Sequence, residues 1–387
     1  MTNPLRELSQ SGQSVWYDSL RRGILVSGEL ARFIEEDGLT GLTTNPAIYE
    51  KAIAENGQDY EAAFARLAPR HDLDAKAIYE TLAIEDIRAA ADLLRPVYDR
   101  TAGRDGYVSL EVSPVLAHDA AGTMAEARRL FRELARENVL VKIPGTPESA
   151  PVIRSLLSEG VNVNVTLLFS RAAYARVAEA YEAALEDRAA RGRDLSRVAS
   201  VASFFVSRVD TLVDGRLEKL AAASTSREGR ERALALRGTI GIANAKLAYQ
   251  DWRARTADGR FARLAAAGAR PQRLLWASTS TKNPRYRDVM YVEELIGPET
   301  VNTMPPATFT AFRDHGRVHP TLESDVEGAH RALSELGALG ISLDEVAGDL
   351  LSEGLRLFEE PFAKLLATIE ARRGERTAPG SQTEGLA

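Results

Sequence analysis

A chain of 387 residues that is 44% hydrophobic and 27% charged has the composition of a globular protein of one large domain or two modest ones. The absence of cysteine excludes a disulfide framework, thiolate metal sites and thiol nucleophiles. A net charge of −6 argues against a nucleic-acid partner, which needs a basic face, but leaves room for a small anionic substrate held by one or two local cations. Residues 1–13 are polar, and no uncharged apolar run approaches the roughly 18 residues of a membrane span. A soluble, cytoplasmic protein without a membrane partner is expected.

Along the chain, short apolar or β-branched runs alternate with long amphipathic stretches rich in alanine and arginine, the rhythm of a parallel α/β protein. Strands are expected at 15–18, 39–45, 107–113, 139–143, 161–168, 198–206, 273–278 and 300–304. Helices are expected at 22–36, 74–98, 120–137, 149–158, 171–191 and 231–252, with Gly38 and Gly160 as C-terminal caps. The charged stretch 224–232 reads as a surface loop. Residues 322–373 read as further helix, broken at Glu359-Glu360-Pro361, and the Pro/Gly-rich segment 378–387 as a disordered tail. No repeat or linker divides the chain, so residues 1–377 are taken as one domain. A doubly wound open sheet would show the same alternation, but neither a dinucleotide fingerprint nor a Walker loop is present.

The faces of the strands separate the two architectures. Val108, Leu110 and Val112 oppose Ser109, Glu111 and Ser113, while Val161, Val163 and Val165 oppose Asn162, Asn164 and Thr166. A sheet covered by helices on both sides would be apolar on both. A closed barrel points one face inward, and its residues near the C-terminal rim line the active site. Asp18, Asn45, Glu111, Lys142, Asn164 and Thr166 would then converge, and the fold expected is a single (β/α)8 TIM barrel with additional C-terminal helices. Lys142 is one of only seven lysines, set in the apolar run Val139-Leu140-Val141-Lys142-Ile143-Pro144. Such a lysine can simply snorkel to water. In a desolvated pocket it can instead attack a carbonyl as a neutral amine. An isolated inward Glu111 could likewise be only an ion-pair partner, but six polar groups at matching strand ends are hard to explain as packing.

The blocks Gly41-Leu42-Thr43-Thr44-Asn45-Pro46, Ser109-Leu110-Glu111-Val112-Ser113, Val141-Lys142-Ile143-Pro144 and Asn162-Val163-Asn164-Val165-Thr166-Leu167-Leu168-Phe169-Ser170 occur in the order found in transaldolases. Ser203-Phe204-Phe205-Val206-Ser207-Arg208 and Trp276-Ala277-Ser278 follow. From about residue 15 to 304 the chain resembles that family. The resemblance implies a Schiff-base lysine on the fourth barrel strand, where Lys142 stands. It also implies cofactor-free transfer of a dihydroxyacetone unit between sugar phosphates in the pentose phosphate pathway, with no metal. Sedoheptulose 7-phosphate or fructose 6-phosphate would be the donor, and glyceraldehyde 3-phosphate or erythrose 4-phosphate the acceptor.

The resemblance also assigns roles. Asp18 would take the proton from the C4 hydroxyl during cleavage, and Glu111 would move protons through a water held by Thr166. Asn45 and Asn164 would bind the dihydroxyacetone hydroxyls, with Ser203 and Ser278 as sugar or water contacts. Phe205 falls on the inward face beside Ser203, and Arg208 offers a bidentate fork for phosphate. Many members carry a second arginine where this chain has Ser280, so Lys282 is the candidate to replace it. A fructose 6-phosphate aldolase would tend to show glutamine at 111 and tyrosine at 205, and a binding-only pseudoenzyme would have lost catalytic groups. His315 and His319 have a metal-pair spacing but no third ligand near them in sequence. The sequence leaves monomer and homodimer both open.

Overall fold

The computed structural model describes residues 3–55 and 57–377. Eight parallel strands close into one barrel in sequence order: β1 Gln13–Tyr17, β2 Gly41–Thr43, β3 Tyr107–Glu111, β4 Val139–Pro144, β5 Val163–Leu168, β6 Ser200–Phe205, β7 Arg273–Ala277 and β8 Thr300–Met304. The eighth strand pairs with the first, from Gln13 opposite Thr300 to Tyr17 opposite Met304. Val108, Leu110, Val139, Val141, Val163 and Val165 join the large core between barrel and helices. The intervening residues point inward, where Trp16, Tyr107, Leu140, Val201, Leu275 and Val301 belong to an interior cluster. Gly41 makes that filling possible, because a Cβ there would lie 2.4 Å from the Trp16 indole.

β2, β3, β5, β6 and β7 are shorter than expected, β2 keeping only three residues, whereas β8 has the expected bounds, β4 extends to Pro144 and β1 begins at Gln13. Gly38 and Gly160 do take left-handed φ values of 70° and 99° at helix ends. Four expectations are corrected. The helix expected at 22–36 is two, Arg22–Val26 and Glu29–Glu36, separated at Gly28 with φ 73°. The stretch 224–232 is not all loop. Helix Arg227–Ala235 starts there, because Ser226 Oγ accepts the Gly229 N–H at 3.0 Å and Arg227 pairs with Glu231 at 2.7 Å. The helix expected at 231–252 is interrupted around Gly238 (φ 71°) and resumes as Ile240–Ala257. Pro361 breaks nothing: one helix runs from Leu343 to Thr377 through it. Burial of Phe358, Phe362, Leu365 and Ile369 against the body of the protein outweighs the roughly 3 kcal/mol that an internal proline costs.

Helix Pro4–Gln10, which the polar N-terminus did not suggest, buries Leu5 and Leu8. The segment 378–387 lies outside the described residues. Among the described residues no helix is long and apolar enough to cross a membrane.

Candidate active site

Strand register sets the centre of the site. Glu111 on β3 pairs with Lys142 on β4, and Lys142 with Asn164 on β5, so three inward polar side chains form one row across the barrel. Lys142 is 4% exposed, with Nζ 3.0 Å from Glu111 Oε2 and donating to the Thr44 carbonyl at 3.1 Å. Thr44 is itself held by its hydroxyl, which donates to the Ser109 carbonyl at 2.7 Å. Neither Glu111 oxygen accepts an aligned hydrogen bond among the described residues, so the amine is its main compensation. Burial pushes the Glu111 carboxyl up to about 7, against the opposing pull of Lys142.

A second carboxylate stands across the cavity. Asp18 follows β1, and its N–H donates to the Met304 carbonyl at 2.8 Å, continuing the β1–β8 ladder. Its Oδ1 accepts the Thr43 hydroxyl at 2.6 Å, and the Thr43 and Thr303 hydroxyls are 2.7 Å apart. Burial raises the Asp18 pKa, with Lys142 the strongest force in the other direction.

On the far side, Ser203 Oγ donates to Asn164 Oδ1 at 2.7 Å and Asn164 Nδ2 to Ser109 Oγ at 3.0 Å. The Thr166 hydroxyl is buried and has no hydrogen-bond partner among the described residues. Just beyond it the β5–β6 register shifts and Leu167 adopts φ 58°. Asn45 lines the cavity and caps helix Pro46–Glu55, its Oδ1 accepting the Ile48 N–H at 3.0 Å.

Two cations mark the outer part. Arg208 is the second residue of helix Ser207–Ala223, and its guanidinium lies 5.3 Å from the Phe205 ring centroid. Burial lowers its pKa, and its Nη1 is buried without a hydrogen-bond partner among the described residues. The Lys282 amine is lowered by burial first and then by Arg208. Two cations close enough for Arg208 to depress Lys282 form a place for an anion. Lys282 Nζ donates to Ser280 Oγ at 3.0 Å, and Ser278, at φ 56°, places its Oγ 2.9 Å from Ser207 Oγ.

The cavity these groups surround measures about 140 Å³. Nine of the eleven expected site residues line it; Glu111 and Asn164 sit immediately behind Lys142 and Ser203. Sequence reasoning missed Thr43, Ser207 and Phe358. Thr43 and Ser207 lie within blocks already singled out, whereas nothing local distinguishes Phe358. A larger cavity of about 220 Å³ lies at the barrel's N-terminal end around Tyr107, Leu140 and Arg273, and contains none of the expected groups.

A closed parallel barrel holding a buried lysine, two carboxylates and a cationic rim at the C-terminal ends of its strands defines a barrel enzyme that handles carbonyl substrates through an amine. The profile of the Transaldolase/Fructose-6-phosphate aldolase family matches residues 15–369. The chain belongs to that family and is a transaldolase-type enzyme acting on sugar phosphates. It is 47% identical over 376 residues to transaldolase 2 of Nostoc sp., covering 96% of this chain and 97% of that one. It is 49% identical over 367 residues to the transaldolase of Thiobacillus denitrificans, covering 95% and 99%. With transaldolase 1 of Streptomyces coelicolor it shares 47% over 366 residues, covering 94% and 93%.

Proposed function

We propose that the protein moves a dihydroxyacetone unit from sedoheptulose 7-phosphate or fructose 6-phosphate to glyceraldehyde 3-phosphate or erythrose 4-phosphate, through an imine on Lys142. The observation that carries this reading is the buried contact of Lys142 Nζ with Glu111 Oε2 at 3.0 Å, facing Asp18 across a cavity with a cationic rim.

The amine must be neutral to attack the ketose carbonyl, and Glu111 is the nearest base. A carboxyl near 7 can take that proton and return one to the departing hydroxyl. The free Thr166 hydroxyl supports its part in holding the water that relays these protons. The iminium then serves as electron sink, so this chemistry calls for no metal or cofactor. Asp18, whose ionised form Lys142 and Thr43 favour against the effect of burial, takes the C4 hydroxyl proton as the carbon–carbon bond breaks. Asn45 and the second Nδ2 hydrogen of Asn164 hold the dihydroxyacetone hydroxyls, with Ser203 and Ser278 at the sugar chain and Phe205 walling the cavity beneath Arg208. Arg208 and Lys282 take the phosphate.

Because the helix Leu343–Thr377 brings Phe358 to the cavity, residues 1–377 are read as one catalytic domain. We place it in the cytoplasm, as monomer or homodimer, among free sugar phosphates.

The test is incubation with fructose 6-phosphate, reduction with borohydride and peptide mass spectrometry. An adduct of dihydroxyacetone mass on Lys142 is expected; a folded protein that traps no adduct overturns the reading. Lys142→Arg should fold and show no transfer, since guanidinium stays protonated and cannot form the imine. Substantial turnover by that variant would remove Lys142 as the nucleophile.

A further inference from the structure

The helix Leu343–Thr377 crosses the catalytic end of the barrel. On one side it packs on β5 and helix Ser207–Ala223, on the other on helices Pro46–Glu55 and Ala75–Arg100. Phe358 lies in the crossing segment. It is 4% exposed, lines the same cavity as Lys142, Asp18 and Arg208, and its ring centroid is 5.4 Å from Lys142 Nζ. Its position is fixed from both directions. One turn earlier, Gly354 sits so close to β5 that a Cβ would lie 2.9 Å from Leu167 Cδ2 and 3.7 Å from Arg208 Nη1. One turn later, Phe362 meets Tyr79 edge-on at 5.6 Å.

We propose that Phe358 is a positioning and specificity-determining residue, whose ring decides whether the three-carbon unit on Lys142 waits for an aldehyde or leaves as free dihydroxyacetone. This rests on the imine reading above. The ring face carries the negative end of the aromatic quadrupole and stands over the nitrogen that becomes a cationic iminium. After cleavage the enamine must meet an aldehyde rather than a proton, and an aromatic wall offers neither a proton donor nor a hydrogen bond to hold water.

The competing release has defined steps. A proton adds to the enamine carbon and restores the iminium. A water oxygen adds to the iminium carbon and returns a proton to the medium. The carbon–nitrogen bond of the carbinolamine then breaks, giving dihydroxyacetone and the free Lys142 amine, with net consumption of water. Removing the ring opens the site to both the proton and the water.

The experiment compares the full-length protein with Phe358→Ala and Phe358→Leu. Fructose 6-phosphate is supplied with and without glyceraldehyde 3-phosphate, and transferred product and free dihydroxyacetone are measured together. The ratio of free to transferred product should rise severalfold in Phe358→Ala, because a proton donor and water can then reach the enamine that the ring had shielded. Transfer kcat should fall while KM for the acceptor stays within about twofold. Phe358→Leu keeps an apolar side chain without the ring face, should shift the ratio in the same direction, and carries the test if the alanine variant does not fold. An unchanged ratio in a folded variant, with all rates falling together, overturns the role of Phe358. Failure of the unaltered protein to form a borohydride adduct on Lys142 would overturn instead the imine reading on which it rests.

Discussion

On the proposed mechanism Glu111 changes protonation during each turnover, and its surroundings place that change near neutrality. Burial raises it to about 7, and Lys142, in contact with its Oε2, limits the rise. The form that protonates the departing hydroxyl is depleted as pH rises through that value, so dehydration of the carbinolamine should slow on the alkaline side. Glu111→Gln cannot titrate. Its imine formation, followed by rapid quench with borohydride, should be slower and nearly flat between about pH 6 and 8. An alkaline limb that persists in the variant would assign the titration to another group. The same substitution should raise free dihydroxyacetone relative to transferred product, and an unchanged product ratio would sink that idea.

At the scale of elements, the site depends on how helix Ser207–Ala223 leaves β6, because Arg208 occupies its first turn. Two residues on, Asp210 fastens that turn to helix Ile240–Ala257 by accepting the Gly241 N–H at 2.6 Å. Burial raises the Asp210 carboxyl from 3.8 to about 7. The sign follows from the raised value: this contribution to stability is complete below about pH 4 and is lost as pH rises through about 7. Asp210→Asn keeps an oxygen acceptor and removes the titration. The loss of unfolding free energy between about pH 5 and 8, read from urea curves, should shrink by up to a few kcal/mol in the variant. Equal losses in both proteins would show that the native carboxyl does not titrate there. None of this was visible in the sequence. The period-2 pattern of β3 to β5 did announce Glu111, Lys142 and Asn164, since alternation fixes which face a side chain takes. Asp210 instead depends on a contact between two helices, and Phe358 on where a distant helix lands. The pause expected at Pro361 followed a sound local rule that burial on both sides of the proline overrides.

Over the whole molecule, the barrel divides its work between its two ends. The C-terminal ends of the strands carry Lys142, Asp18 and the cationic rim, and that end was largely legible because its polar residues interrupt apolar strands. The N-terminal end is held by a buried ion cluster that the strand pattern did not single out. Arg273 and Asp105 are 6% and 5% exposed, with Nη1 and Oδ2 3.6 Å apart. Arg273 also donates to Ser14 Oγ at 2.7 Å and to the Arg104 carbonyl at 2.9 Å, while Asp105 Oδ1 accepts from Trp16 Nε1 at 2.7 Å. One cluster thus ties β1, the loop before β3 and β7 together beneath the Trp16 ring. Arg273→Met would leave the Asp105 charge buried with its cation gone, at a cost of about 3–5 kcal/mol. Nothing in that cluster touches the catalytic cavity, so kcat per folded molecule should not change. Lys282→Gln should do the reverse, leaving the urea midpoint in place while raising KM for phosphorylated substrates about tenfold or more. If Arg273→Met lost kcat in step with stability, the two ends of the barrel would be coupled rather than separate.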